Sequence, residues 1–556
     1  MSGGHSGDGS PTGGPGEDDP VRTSPRSVGT VGRRITRTEP RRWRRSRAYE
    51  PSGWHSHPRV GMGLVIGSTA GIVGVSFLGP SAVTLSLGPR YGSLLPPWYI
   101  PSTWGIVLGD WPAVLLTYLC IALGAVGMWV LMKALAAGWR PVPRNLLRLG
   151  IVLQVAVSLV TPLTSADVMM YAAYGRLQVL GRNPYEITVG EIFRTQFDTV
   201  LRWTERPWQD TPSVYGPIVS ASQVLANRLG GTSMHDVVFW LQMLCLVPML
   251  VIGVLAYRMA AGNPMLQSRA ALFTLVNPAM LWAVTAQAHN EALAVMFAFA
   301  AIAAMRRWPW LAGLLIGIAG GAKVNMVLFG IAILWGYRRE PRKLAIVAGA
   351  AAVPLVICYG LWEPSALLSA ARNTTYVNAG AWAGPVFGLL SQFLVWNAAK
   401  IIINVIGLAM WAVVAWMLFR LVEVRPLPGI ADHVLDPMRD PTSVAVRTAA
   451  VLYASWLITT PNSFSWYDLM AWTPLALAAA SRLDGLMLWR TTWLSAAFVT
   501  GRAIPYAYGL TTFGARVRDT ACVIAQVLVL VAIVWWYVRT RREAARLSLG
   551  VGVGVG

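Results

Sequence analysis

Apolar runs follow one another along most of this chain, and few charges interrupt them. They lie near residues 61–79, 113–132, 149–165, 237–257, 270–288, 291–305, 309–322, 324–336, 344–361, 400–419, 447–461, 467–481, 488–505 and 519–538. A helix crossing a bilayer needs about 20 predominantly apolar residues. Several runs are shorter, so the pattern predicts some short, tilted or shielded spans, with a further piece near 384–397 as a re-entrant segment. The expected fold is an all-α polytopic membrane protein of about 12–14 transmembrane helices. Composition agrees: 55% of residues are apolar, 13% are charged, and mean hydropathy is +0.50. Soluble domains carry about 25% charged residues, so an ordinary cytosolic enzyme, a disordered chain and a disulfide scaffold are all excluded.

Residues 1–58 read as a disordered basic cytoplasmic tail, rich in Gly, Ser, Pro and charge. No apolar stretch of signal-peptide type follows a short basic start. The basic stretch from Arg33 to Arg47 suits anionic lipid headgroups better than nucleic acid. Residues 59–540 form the expected transmembrane domain, and 541–556 a short tail ending in an unstructured Gly-Val repeat. Cys120, Cys245, Cys358 and Cys522 lie far apart in apolar runs and read as buried thiols.

The net charge is +21. Placing the N-terminal tail in the cytoplasm puts Arg140 with Arg144 and Arg148, Arg258 with Arg269, Arg306 with Arg307, Arg338 through Lys343, Arg420 with Arg425, Arg482 with Arg490, and the C-terminal arginines on the same side. That is the positive-inside pattern of a multi-pass cell-membrane protein. The longest outer loop then runs over 166–212 with nearly balanced charge, and long loops in compact domains are usually functional or disordered.

Five motifs fall on that outer side. Asp167, Tyr171 and Tyr174 sit at i, i+4 and i+7 on one helix face, followed by Arg176. Gly181 stops that helix, and Asn183-Pro184 turns the chain before Tyr185. The same residues also suit a helix cap with interfacial tyrosines. Tyr215-Gly216-Pro217 makes a rigid interfacial turn. His289-Asn290-Glu291 places three hydrogen-bonding groups at a junction of apolar runs, expensive at membrane depth unless paired or wet. Lys323 stands alone between two short apolar runs, as a snorkelling side chain or as a point charge for a phosphate. Trp466-Tyr467-Asp468 reads as an aromatic belt with a capping acid, or as rings bordering a sugar. Their convergence on one face predicts a single site holding a carboxylate, a cation and aromatic rings.

The ordered set Ala166-Asp167-Val168 to Gly175, Gly181-Arg182-Asn183-Pro184-Tyr185, Trp208 to Tyr215-Gly216-Pro217, Asn277-Pro278, Ala288-His289-Asn290-Glu291-Ala292-Leu293, Ala322-Lys323-Val324 and Trp466-Tyr467 before Trp472 resembles one family over roughly 60–540. This is the polyprenol-phosphomannose-dependent α-1,6-mannosyltransferase family of actinobacterial lipomannan synthesis, within the GT-C glycosyltransferases. The resemblance implies a GT-C-like bundle acting at the outer face on a lipid-linked sugar. It also implies Asp167 as catalytic base within an outer catalytic loop over 166–212, and Lys323 as the family's Val-Lys lysine. The family usually has Asp-Val-Tyr-Ser-Tyr where this chain has Asp167-Val168-Met169-Met170-Tyr171, and Pro-Trp-Tyr-Leu-Leu-Trp where this chain has Ser465-Trp466-Tyr467-Asp468-Leu469-Met470.

The implied reaction moves mannose from a polyprenyl-phosphate donor to a lipid-anchored glycan acceptor. Asp167 takes the acceptor proton, Lys323 with His289 or Arg176 stabilises the leaving phosphate, and a single base predicts inversion. A retaining scheme needs a second close acid, which Glu291 or Asp468 would supply. No cofactor is expected, and no ligand spacing supports a metal at Asp167 and Glu291, although one stays open. An arabinosyl-type GT-C transferase and a lipid-linked-sugar transporter are the alternatives. No nucleic-acid partner is expected.

Overall fold

Proline opens many of the helices. Pro58, Pro143, Pro217, Pro264, Pro309, Pro341 and Pro441 each stand at the first helical position. There the missing N–H has no intrahelical partner to lose and the fixed φ is already helical. The structure, a computed structural model, describes residues 53–206, 208–373, 376–428 and 436–551. Nearly all of the predicted basic tail therefore lies outside the described residues. Within them the protein is all-α, with isolated bridges only at Thr84–Leu163 and Trp98–Val160.

Six helices are long and apolar enough to cross a membrane: Pro58–Phe77, Asp110–Ala136, Met234–Met259, Pro341–Trp362, Trp396–Leu421 and Leu510–Arg546. Shorter apolar helices cover Glu291–Ala304, Pro309–Ala322 and Val324–Gly336. Other runs are broken because their sequence cannot continue a helix. The 270–288 run is cut at Asn277-Pro278, where the Asn277 side chain caps a new turn that widens into a π-turn over Leu281–Thr285. The 467–481 run yields only Leu469–Leu475, and the 384–397 piece becomes Ala383–Leu390 plus the start of Trp396–Leu421. The final helical segment runs through Val551, past the expected boundary at 540.

Pro309–Ala322 lies tightly on Pro341–Val356. A β-carbon at Gly313 or Gly317 would stand 2.4 Å from the carbonyl oxygens of Val347 and Ala351. Small residues let membrane helices approach this closely. Four free cysteines, Cys120, Cys245, Cys358 and Cys522, are buried.

Two buried arginines of the bundle are paired with carboxylates. Arg269 reaches both carboxylate oxygens of Asp484 at 2.8 Å. Arg490 is no loop arginine: it lies within the Arg482–Ala497 helix, fully buried, and bonds Asp468. Its apparent membership of a basic loop came from its distance to Arg482, which is two turns of one helix. Thr491 completes the group by donating to Asp468 at 2.6 Å.

Candidate active site

The long loop is built by its own local rules. Asp167–Val179 is a helix, and Gly181 follows it at φ 71°, the left-handed stop that the sequence predicts. The Asn183 side chain accepts from Tyr185 N at 2.9 Å and makes the turn. Thr188 and Glu191 form a reciprocal capping box on Val189–Thr195. Arg502 pins the loop's far end, bonding Glu205 at 2.5 and 3.1 Å and the carbonyls of Ser81 and Thr84 at 2.9 and 2.5 Å.

All five motifs meet at the start of the Asp167 helix. Asp167 Oδ2 and Glu291 Oε2 each lie 3.9 Å from His289 Nδ1. Lys323 bonds Glu291 directly. Its ammonium stands 4.6 Å from the Tyr467 ring centre and 5.6 Å from that of Tyr215, within cation–π range. Tyr215 in turn packs edge-on against Tyr171 at 5.2 Å. Trp466 stacks on His289 at 4.0 Å and 15°, and Phe464 stacks on Trp466 at 4.6 Å.

Backbone geometry fixes these turns. Thr164 and Ala288, each just before a site segment, hold positive φ of 55°. Such non-glycine conformations persist only where surrounding structure enforces them, and they cluster at functional sites. The Tyr215 turn is locked as well. Gly216 N donates to Ala322 O at 3.0 Å, and a β-carbon at Gly216 would stand 2.2 Å from Gly321 O. Only glycine lets this loop sit against the chain beside Lys323.

His289 is fully buried with both ring nitrogens engaged. Tyr171 O–H lies 3.0 Å from Nδ1, and Gln287 Oε1 lies 3.0 Å from Nε2. The network assigns the proton to Nε2, because Gln287 Oε1 can only accept. Burial, with the Lys323 charge adding, pushes the ring well below its ordinary pKa, so His289 is a neutral bridge.

Asp167 is the more open carboxylate, with its side chain 19% exposed against 1% for Glu291. Burial raises its pKa to about 7. The Glu291 charge adds to that rise, while Lys323 and Ser165 oppose it. A carboxylate near neutrality is matched to general-base work at physiological pH.

Other expected residues are placed elsewhere. Arg176 bonds Asp198 at 2.8 Å, so its charge is already met. Tyr174 donates to Thr211 O at 2.9 Å and holds the loop on its helix. Tyr185 is buried near Glu363 and Cys358. Asp468 is fully buried against Arg490 and Thr491, unavailable as a second acid. Asn290 caps the Glu291 helix, and both polar atoms of its side chain are buried without a hydrogen bond in the protein. Such groups call for a partner. Tyr376 was not expected; it extends the aromatic wall between Trp208 and Phe464 at 5.4 and 6.3 Å. Among the described residues, no group of three or more His, Cys, Asp or Glu is arranged to hold a metal ion.

No curated protein and no solved structure matches the chain. Residues 68–339 match the family described as alpha-(1->6)-mannopyranosyltransferase, N-terminal domain, and that stretch contains Asp167, His289, Glu291 and Lys323. Over residues 68–339 the chain carries the N-terminal domain of the α-(1→6)-mannopyranosyltransferase family, which supports a mannosyltransferase, and six of its helices are long and apolar enough to cross a membrane.

Proposed function

We propose that the protein transfers mannose from a polyprenyl-phosphate donor to a hydroxyl of a lipid-linked mannan or related glycan, at the extracytoplasmic face, as a GT-C enzyme. Asp167 removes the acceptor proton as the new oxygen–C1 bond forms. The C1–oxygen bond to phosphate breaks, and polyprenyl phosphate leaves with the electron pair. Lys323 meets the growing charge on that phosphate; preorganised charge in a dry site is an effective way to lower such a barrier. Trp466, Tyr467 and Tyr215 supply ring faces for the sugar, and Asn290 supplies a buried amide for its hydroxyls.

The observation that carries this reading is the convergence of Asp167 and Lys323 on Glu291 and His289. Inversion is favoured over retention because Glu291 is nearly fully buried and held by Lys323, which leaves Asp167 as the available carboxylate. The outer placement rests on the arginine-bearing loops on the opposite side. Membranes containing the protein are to be given radiolabelled polyprenyl-phosphate-mannose or polyprenyl-phosphate-arabinose, and the product's anomeric configuration read by NMR. An α-linked mannoside from a β-linked donor is expected. Preference for arabinose would reassign the sugar, a β product would remove inversion, and no glycosidic bond from either donor would point to a transporter.

A further inference from the structure

The break at Lys323 does more than present a cation. Pro309–Ala322 ends there, Lys323 itself is extended at φ −157°, and after one 3-10 turn the chain starts again as Val327–Gly336. The two helices then part company. The first packs on Pro341–Val356 and on Glu291–Ala304, whereas the second packs on Pro441–Thr459. The result is a wedge lined by Gly320 and Val324, on either side of Lys323 in the chain.

That wedge is an apolar cavity of about 610 Å³. Ile316, Gly320 and Ala351 form one wall, and Val327, Gly330 and Leu334 the other. Tyr359 comes from a π-turn over Ile357–Trp362, and its hydroxyl donates to Gly320 O at 2.8 Å. The volume is in the range of about 300–1,000 Å³ typical of organic-ligand pockets. Leu334 lies seven residues beyond Val327 on one helix, so this wall of the wedge runs about 10 Å at the helical rise of 1.5 Å per residue. Several flanking residues, among them Val327, Ile331 and Val356, are exposed on the apolar outside of the bundle. A greasy slot lined by Gly320 and Val324, which flank Lys323 in the chain, and bordered by exposed apolar residues has the charge pattern of an anionic lipid: phosphate toward the lysine, hydrocarbon along the walls.

We propose that this wedge seats the first isoprene units of a polyprenyl phosphate, with the phosphate on Lys323. The assignment rests on the donor reading above and adds the place and the helices that hold the tail. The glycines supply a clean test. A β-carbon at Gly330 would meet only Ile316 at 3.7 Å, and one at Gly360 only Val356 at 3.7 Å, both ordinary contacts. Larger side chains there fill the slot without disturbing the packing of the helices.

The experiment has two arms. In the first, membranes with the wild type, G330L or G360L receive polyprenyl phosphate carrying a photoreactive group in its second isoprene unit, and labelled peptides are mapped. Labelling of 316–334 or 347–367 is expected, lost in both variants, and competed by unlabelled polyprenyl phosphate but not by phosphatidylglycerol. Labelling elsewhere, persistence in the variants, or equal competition by the phospholipid would overturn the assignment. The second arm measures transfer. Both variants are expected to lose at least tenfold with a long-chain donor and less than threefold with a donor of one or two isoprene units. Equal losses would overturn the assignment. A wild type that labels in the wedge yet transfers nothing would refute the enzymatic reading while upholding the lipid seat.

Discussion

Glu291→Gln removes a negative charge from beside Asp167, and its effect on the pH profile is calculable. Both carboxylates lie 3.9 Å from His289 Nδ1, so the two oxygens are at most twice 3.9, about 8 Å, apart. Two unit charges at about 8 Å interact by about 2 kcal/mol at an effective dielectric of 20, which is about 1.5 pH units. Asp167 has to be ionised to accept a proton, and its pKa is raised to about 7, so wild-type kcat/KM falls as pH drops through about 7. Glu291 disfavours that ionisation; without its charge the acid limb moves down by about 1.5 pH units. Lys323 favours it, so Lys323→Met moves the limb up. Initial rates of mannose transfer in membranes between about pH 5 and 9 decide the matter, since kcat/KM reports the free enzyme's ionisations. Limbs that coincide in all three proteins, or that move in the same direction in both variants, would refute the electrostatic reasoning.

Asp167→Asn keeps the fold and lowers kcat by about 10²–10⁴, the scale of general-base catalysis; wild-type-level transfer would remove the base. Arg490→Leu strands the fully buried Asp468 carboxylate, and breaking such a pair costs about 3–5 kcal/mol. Thermal unfolding in detergent should show a large drop in Tm, and an unchanged Tm would contradict the pairing. Arg502→Ala frees Glu205 and the Ser81 and Thr84 carbonyls, so limited proteolysis within 166–212 is expected to speed up. Trp466→Ala removes the ring stacked on His289 and is expected to reduce transfer at subsaturating donor, read as a change in kcat/KM.

Local chemistry made the Asp167 helix legible: its period, its Gly181 stop and its Asn183 turn depend only on neighbours in sequence, and all three recur in the structure. The His289 and Lys323 junctions were legible for a similar reason, as polar residues interrupting apolar runs. What sequence could not supply was pairing. Lys323 finds Glu291 across 32 residues, and Arg502 finds Glu205 across 297. No periodicity encodes either. Run length also misleads, because Asn277-Pro278 splits an apolar stretch that hydropathy alone reads as continuous. Arg176 shows the converse error: a cation on the right helix is spent on Asp198, a carboxylate that nothing in the local pattern singles out.

The Tyr171–His289–Gln287 chain sets a condition on turnover. Tyr171 gives its hydrogen to Nδ1, Nε2 gives its own to the Gln287 amide oxygen, and that oxygen has none to hand on. The relay is a cul-de-sac. In the proposed reaction, a hydrogen ion collected by Asp167 finds no exit along this chain, which leaves the partly exposed side of the carboxylate as its way to water.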